Sequence, residues 1–482
     1  MRESKAFFKT DLCTFRSVKK IRMRTTTILA LAILCYQIGF AQKAITPKRN
    51  SAEAIIESGA QQIDSYVPLL KEKRVGIFAN QTSMVGRKHL VDTLLSLGID
   101  IRVIFGPEHG FRGTADAGEK VGDYVDKETG IPVVSLYGAK RGPEKKDLEQ
   151  VDILVFDIQD VGVRFYTFIS SLEAYMESAM RFNKPLIILD RPNPNGFYVD
   201  GPVLQPPYKS FIGMQPIPIV YGMTIGEYAW MLLGEHWIKQ EKKQEESMAI
   251  AEDQPVPAQA AMAKSSLSKS DKNKPLILCT NSEWNNELVN KEAFQLIVIC
   301  CKNYDHRSKY VLPVRPSPNL PTIQSIYLYP TTCLFEGTVL SEGRGTNKPF
   351  QLIGHPALPK NMVQFTPNPN EGAKKSKHYG VICYGWDYSG TPVDVLKKTN
   401  QKIQLNWILE AYRIFPQKDS FFLMPKSGDP TLSFFNKLAG NNALMEQIKN
   451  GKTEQEIRQS WEPQLSQFKA IRKRYLLYKD FE

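Results

Sequence analysis

Ile99-Asp100-Ile101-Arg102-Val103-Ile104-Phe105 is an apolar, β-branched run with the alternation of a buried strand, and it breaks off into Gly106-Pro107-Glu108-His109-Gly110-Phe111-Arg112-Gly113. A strand that ends in Gly-Pro and then offers Glu, His and Arg within five residues has the composition of an active-site loop. In open α/β sheets ligands bind just outside the carboxyl ends of the strands, so position and residue types agree. A lone glutamate on such a loop is ordinarily a surface carboxylate in a turn. The recurrence of the pattern along the chain argues for more than that.

Three further apolar runs end in the same way. Val75-Gly76-Ile77-Phe78 leads into Ala79-Asn80-Gln81-Thr82, and Val151-Asp152-Ile153-Leu154-Val155-Phe156 leads into Asp157-Ile158-Gln159-Asp160-Val161-Gly162-Val163-Arg164-Phe165-Tyr166. Leu186-Ile187-Ile188-Leu189 leads into Asp190-Arg191-Pro192-Asn193-Pro194-Asn195-Gly196. Helical patterns at about 84–96, 144–150 and 168–182 separate these runs. The alternation predicts an α/β fold with a parallel sheet and helices on both faces, and the four polar loops then converge on one edge of it.

At 482 residues the chain is about three times a typical domain, and 42% hydrophobic residues are enough to bury a core. The net charge of +12 misleads, because residues 1–41 hold eight Lys/Arg against two acids and carry half of it. The remaining basic residues are scattered, which argues against nucleic-acid binding. Residues 1–41 read as a secretory signal: Lys19, Lys20, Arg22 and Arg24 precede the apolar run Ile28 to Phe40, with Ala41 at the cleavage point and Met23 as an alternative start. The expectation is an exported, periplasmic protein, since that run is too short to span a bilayer and no later segment is long and apolar enough. Cys279, Cys300, Cys301, Cys333 and Cys383 sit in strand-like runs with no framework spacing and read as buried free thiols; no spacing suggests a metal site. Residues 240–274 form a polar, low-complexity insertion expected to be a flexible loop. It divides the mature chain into 50–239 and 275–482. Just before it, Thr224 and Glu227 have capping-box spacing for a helix.

The strings Ala79–Ser83 (ANQTS), Phe105–Gly113 (FGPEHGFRG), Ala117–Val121 (AGEKV), Phe156–Thr167 (FDIQDVGVRFYT), Leu189–Gly196 (LDRPNPNG), Pro316–Thr322 (PSPNLPT), Cys333–Thr338 (CLFEGT) and Ser341–Thr346 (SEGRGT) resemble those of the bacterial exo-β-N-acetylmuramidases, glycosidases of peptidoglycan salvage that remove terminal N-acetylmuramic acid. The resemblance runs from about residue 60 to the Arg-Tyr-Leu-Leu-Tyr at 474–478, with the polar insertion as its main departure. It implies a Rossmann-like domain at 50–239, a smaller α/β C-terminal domain at 275–482, and a substrate cleft between them.

The implied chemistry assigns roles to the strand-end residues. Glycoside hydrolysis needs a proton donor at the leaving oxygen and a second group that captures or stabilises the oxocarbenium-like centre. Glu108 is the candidate acid, His109 an orienting or hydroxyl contact, and Glu119 the nearest second carboxylate. Asn80, Gln81, Arg112, Asp157, Gln159, Arg164, Tyr166, Asn193, Glu342 and Arg344 are the candidate substrate contacts. Several have structural readings too: Arg164 can pair with an Asp four residues earlier and brace its loop, and Asn193 and Asn195 can be turn residues. Muramic acid carries a lactyl carboxylate, for which an arginine fork is the natural partner, and Arg344 between two glycines leads that search; a salt bridge to Glu336 or Glu342 is its alternative. No GxGxxG or P-loop order occurs, so no nucleotide cofactor is expected, and no metal either. The expected partner is a peptidoglycan-derived sugar, with a homodimer left open. A non-catalytic periplasmic sugar-binding protein on the same scaffold is the competing reading, and retaining, inverting and substrate-assisted mechanisms all remain open.

Overall fold

The strand-forming runs assemble into β1 (Arg74–Ala79), a hairpin of β2 (Met84–Val85) and β3 (Lys88–His89), then β4 (Asp100–Gly106), β5 (Tyr124–Val125), β6 (Pro132–Ser135), β7 (Ile153–Asp157), β8 (Leu186–Leu189), β9 (Leu276–Leu278) and β10 (Leu296–Ile299). The computed structural model describes residues 55–108, 110–113, 122–238, 276–278 and 294–482. The expected leader at 1–41 and the polar insertion at 240–274 lie outside them. Among the described residues eight strands form one sheet in the order β5-β6-β4-β1-β7-β8-β10-β9. All its pairings are parallel except that of β5 with β6.

Successive residues feed opposite cores. In β7, Ile153 and Val155 join one cluster and Leu154 and Phe156 the other; β8 and β10 divide in the same way. A sheet buried on both faces needs such continuous apolar runs, which is why these segments were readable as strands. The helices Phe168–Arg181 and Lys145–Leu148 fall where the periodicity places them. The pattern at 84–96 is a helix only over Leu90–Ser96; its first half is the β2–β3 hairpin, which turns at Gly86 with φ +61°.

The chain from Ile56 to Glu482 packs as one compact unit. Strands β9 and β10 lie beyond the insertion yet belong to the large sheet, so the segment expected to begin a second domain at 275 opens by completing the first sheet. The rest of that segment contains a small antiparallel sheet, β11 (Leu352–His355), β12 (Val363–Phe365) and β13 (Cys383–Asp387), with β13 in the middle. Helices Ile323–Thr332, Leu405–Ile414 and Glu454–Arg472 accompany it. The cluster containing Phe156 continues through Tyr329, Phe335 and Leu465, so one face of the large sheet shares its core with the C-terminal half.

The last residues return to that sheet. The Tyr478 hydroxyl donates to Asp190 and accepts from the Cys301 amide, and the Leu477 amide donates to Glu227 Oε1 at 2.8 Å. Glu227 Oε1 also meets His306 Nε2 at 3.0 Å, with both side chains fully buried. Cys301, Cys333 and Cys383 are buried free thiols as expected, but Cys300 is disulfide-bonded, which corrects the reading of all five as free. Among the described residues no helix is long and apolar enough to cross a membrane.

The helix Ile225–Gly234 begins with the expected capping box: Thr224 Oγ1 accepts from the Glu227 amide, and Glu227 Oε2 accepts from the Thr224 amide at 2.8 Å. The same Thr224 hydroxyl donates to Asp190 Oδ2 at 2.7 Å. Thr224→Ala is therefore expected to lower unfolding free energy by about 0.5–2 kcal/mol, the range of a lost N-cap, while Thr224→Ser retains most of it. Urea denaturation of the three proteins checks this.

Candidate active site

Strand order fixes where a site can form. From β1 the chain moves to β4 and β6 on one side and then crosses to β7 and β8 on the other. Loops after β1, β4 and β7 therefore diverge at the carboxyl edge around β1, the switch point at which α/β sheets open a crevice.

A small cavity of about 70 Å³ opens there. Glu108 from the β4 loop, Phe165, Tyr166 and Thr167 from the β7 loop, and Arg344 from the C-terminal half all line it. Three sequence candidates, Glu108, Tyr166 and Arg344, thus meet in one pocket although they are up to 236 positions apart in the chain. Phe168, Ser317, Asn319, Leu320, Tyr329 and Phe350 complete the wall. These were not singled out as site residues. Ser317, Asn319 and Leu320 fall in the Pro316–Thr322 string, a usable signal. Tyr329 and Phe350 carry no local signal, because apolar periodicity marks them as core.

Glu108 is half-buried, with its carboxylate accepting from the Tyr137 hydroxyl at 3.0 Å and reached by Thr167 Oγ1 at 3.4 Å. Tyr166 is buried and donates to the Pro316 carbonyl at 2.9 Å, which ties the β7 loop to the wall contributed by 316–320. Its ring stands edge-on to Tyr329 and Phe168, so the floor of the pocket is aromatic. Gln81 reaches the same segment, donating to the Pro316 carbonyl at 3.1 Å, and abuts Gly113.

Arg344 is salt-bridged as its structural reading held, and it faces the pocket as well. Nη2 meets Glu336 Oε1 at 2.6 Å and Nε lies 3.4 Å from Glu342 Oε1. Burial disfavours the charged guanidinium, but the two glutamates more than reverse this and hold its pKa above the usual arginine value. Glu342 is itself shared with Lys377 at 3.0 Å and does not line the pocket. Arg344 makes these contacts through Nε and Nη2.

The other candidates are engaged within the protein. Asp157 is fully buried and gripped by Arg191, Nε at 2.6 Å and Nη2 at 2.8 Å. Gln159 donates to the carbonyls of Asp160 and Pro192, and Asn193 donates to Met223 while accepting from the Asn195 amide. Asn80 closes its own turn by accepting from the Thr82 amide and hydroxyl. Arg112 pairs with Asp126 at 2.8 Å and Glu128 at 3.1 Å and lies over Phe111. The expected brace from Arg164 to Asp160 does not form. Arg164 instead donates to the carbonyls of Pro202, Ile217 and Leu438, because segments distant in sequence fold over it. Asp160 accepts from Gly162 and Tyr221, and burial pushes its carboxyl up to about 6. His109 and Glu119 lie outside the described residues. Among the described residues Glu108 is the one carboxylate lining the pocket, and none form a cluster able to hold a metal ion.

The pocket brings a carboxylate and an arginine together at the carboxyl edge of a parallel sheet, and sequence comparison supplies the class. Residues 75–324 match the model of the N-terminal domain of exo-β-N-acetylmuramidase NamZ, and residues 327–478 that of its C-terminal domain. The chain belongs to this family and is a glycosidase. The peptidoglycan β-N-acetylmuramidase NamZ of Bacillus subtilis strain 168 is 36% identical over 430 residues, covering 86% of this chain and 89% of that protein. Two crystal structures of DUF1343 family proteins from Bacteroides fragilis share the fold. One is 38% identical with a TM-score of 0.70, covering 89% of this chain and all of its own. The other is 25% identical with a TM-score of 0.66, covering 88% and 99%.

The structural role of Asp157 has a measurable consequence. Removing one member of a buried ion pair strands the other charge and typically costs about 3–5 kcal/mol. Asp157→Ala is expected to lower the urea midpoint sharply, whereas Arg112→Ala, at a partly exposed pair, shifts it by much less. Equal shifts in the two variants would contradict the distinction.

Proposed function

We propose that this chain is an exo-acting β-N-acetylmuramidase that releases N-acetylmuramic acid from the non-reducing end of peptidoglycan fragments such as the muramic-acid–glucosamine disaccharide. The observation that carries the proposal is the placement of Glu108 and Arg344 on one pocket. Glu108 serves as the general acid, donating a proton to the glycosidic oxygen as the bond to the anomeric carbon breaks. Phe165, Tyr166, Tyr329 and Phe350 provide the apolar faces on which a pyranose ring rests, and Ser317, Asn319 and Thr167 supply hydroxyl and amide groups beside them. The name of the Bacillus relative, a peptidoglycan β-N-acetylmuramidase, supports the same substrate class. The basic and then apolar N-terminus supports export, which would bring the enzyme to cell-wall material.

Arg344 reads the lactyl carboxylate through Nη1. Its other donors are already committed to Glu336 and Glu342, so the substrate competes with an internal carboxylate rather than meeting a bare cation. A hydrogen bond to a charged group contributes roughly 10- to 150-fold in discrimination, and this competition places Arg344 at the lower end of that range.

Two experiments test the proposal. Glu108→Gln keeps the volume and removes the proton, so turnover of the disaccharide is expected to fall by about 10²–10⁴-fold with the fold retained by circular dichroism. Near-normal release of muramic acid would move the acid role elsewhere, first to Glu119. For specificity, kcat/KM on paired chromogenic muramic-acid and glucosamine substrates should show wild type preferring the former by about tenfold, Arg344→Ala losing that preference, and Arg344→Lys falling between. Equal losses on both substrates would make Arg344 structural.

A further inference from the structure

Strand β6 runs parallel to β4 with Ser135 opposite Gly106, so two residues later Tyr137 and Glu108 emerge side by side. The Leu136 amide donates to the Gly106 carbonyl at 2.9 Å, which keeps the two strand ends together past their last ladder pair. From that position the Tyr137 hydroxyl donates to Glu108 Oε1 at 3.0 Å, while Thr167 Oγ1 approaches Oε2 at 3.4 Å. Of these two neighbours of the carboxylate, Thr167 lines the cavity and Tyr137 does not.

We infer that Tyr137 is a positioning residue for Glu108, holding Oε1 as a permanent acceptor and leaving Oε2, on the side of Thr167, as the oxygen that carries the transferable proton. The inference rests on the reading of Glu108 as the general acid. A phenol has a single O–H to donate, and a protonated carboxyl that accepts it on one oxygen keeps its own proton on the other. In the reaction the O–H bond at Oε2 breaks and the proton passes to the glycosidic oxygen, which also takes the electron pair of the breaking C–O bond. The negative charge left on the carboxylate is shared with Oε1, where the Tyr137 hydroxyl already points. Burial, and then Glu108 itself, push the Tyr137 phenol up to about 12, so it remains a donor across the working pH range. Among the described residues, the other ionisable groups facing this pair include Tyr166 and Arg344 on the pocket wall and Arg141, whose guanidinium lies 5.5 Å from the Tyr137 ring.

Tyr137→Phe tests the role, because it keeps the ring and the Arg141 contact and removes only the hydroxyl. The measurements are kcat and KM on the muramic-acid–glucosamine disaccharide and on a nitrophenyl muramide, with the pH profile of kcat/KM on the disaccharide. A nitrophenolate leaves with little protonation, so a defect in delivering the proton shows mainly on the natural substrate. The expected result is a fall of about tenfold in disaccharide kcat, the loss of one hydrogen bond to a charged group, with KM little changed and the nitrophenyl substrate largely spared. A donor to a carboxylate favours its ionised form, so removing it should also move the alkaline limb of the profile to higher pH. Equal losses on both substrates, or an alkaline limb that stays in place, would overturn the inference. Glu108→Gln, assayed alongside, separates the two levels. If it shows the leaving-group dependence and Tyr137→Phe does not, only the role of Tyr137 falls. If Glu108→Gln lacks that dependence, the acid assignment fails and this inference fails with it.

Discussion

The Asp157–Arg191 ion pair, closed to solvent at the ends of β7 and β8, is the interaction on which the polar edge of the sheet depends. Both faces of the sheet are buried, so the strands end inside the protein rather than in water, and their last polar groups must satisfy one another. Arg191 spends its fork on Asp157 and still reaches the Met84 carbonyl in the hairpin after β1, which ties three strand ends to one guanidinium. The loops that carry Tyr166 and Thr167 begin from that fixed edge. A pocket assembled from four separate segments keeps its shape only if such anchors are unambiguous, and bidentate arginine–carboxylate geometry supplies direction as well as energy.

The same requirement explains how far the sequence could be read. The apolar runs at 75–78, 99–105, 151–156 and 186–189 became strands of one sheet because burial on both faces demands uninterrupted Val, Ile, Leu and Phe. The site was harder to read, since polar residues at a strand end serve two masters. Asp157, Gln159 and Asn193 have the residue types of a sugar contact, yet each is held by its neighbours. Glu108 and Arg344 also have internal partners, but they reach the cavity. Residue type did not separate the two groups; only the path of the loops does.

Two departures show where local reasoning fails. Arg164 four residues after Asp160 suggested a pair, but the guanidinium goes to carbonyls from 202, 217 and 438, positions that no spacing rule links to it. At 84–96 helical periodicity extended back over Met84-Val85-Gly86, where a glycine in the left-handed region turns a hairpin instead. Tyr137 was accessible in principle. It stands two residues beyond the end of a strand, as Glu108 does, and the parallel register of β4 with β6 makes equal offsets into neighbours.

The return of the C-terminal residues to the sheet bears on how the molecule comes into being. Asp190, at the end of β8, receives a hydroxyl from Tyr478, and Glu227 receives the amide of Leu477. A ribosome delivers Asp190 and Glu227 long before it delivers those partners. Without Leu477 and Tyr478 in place, Glu227 and Asp190 each lack one donor to a buried carboxylate, which carries a desolvation cost. That edge of the sheet is thus closed by contacts 250 and 288 positions apart in sequence, and contacts of such long range form late in folding.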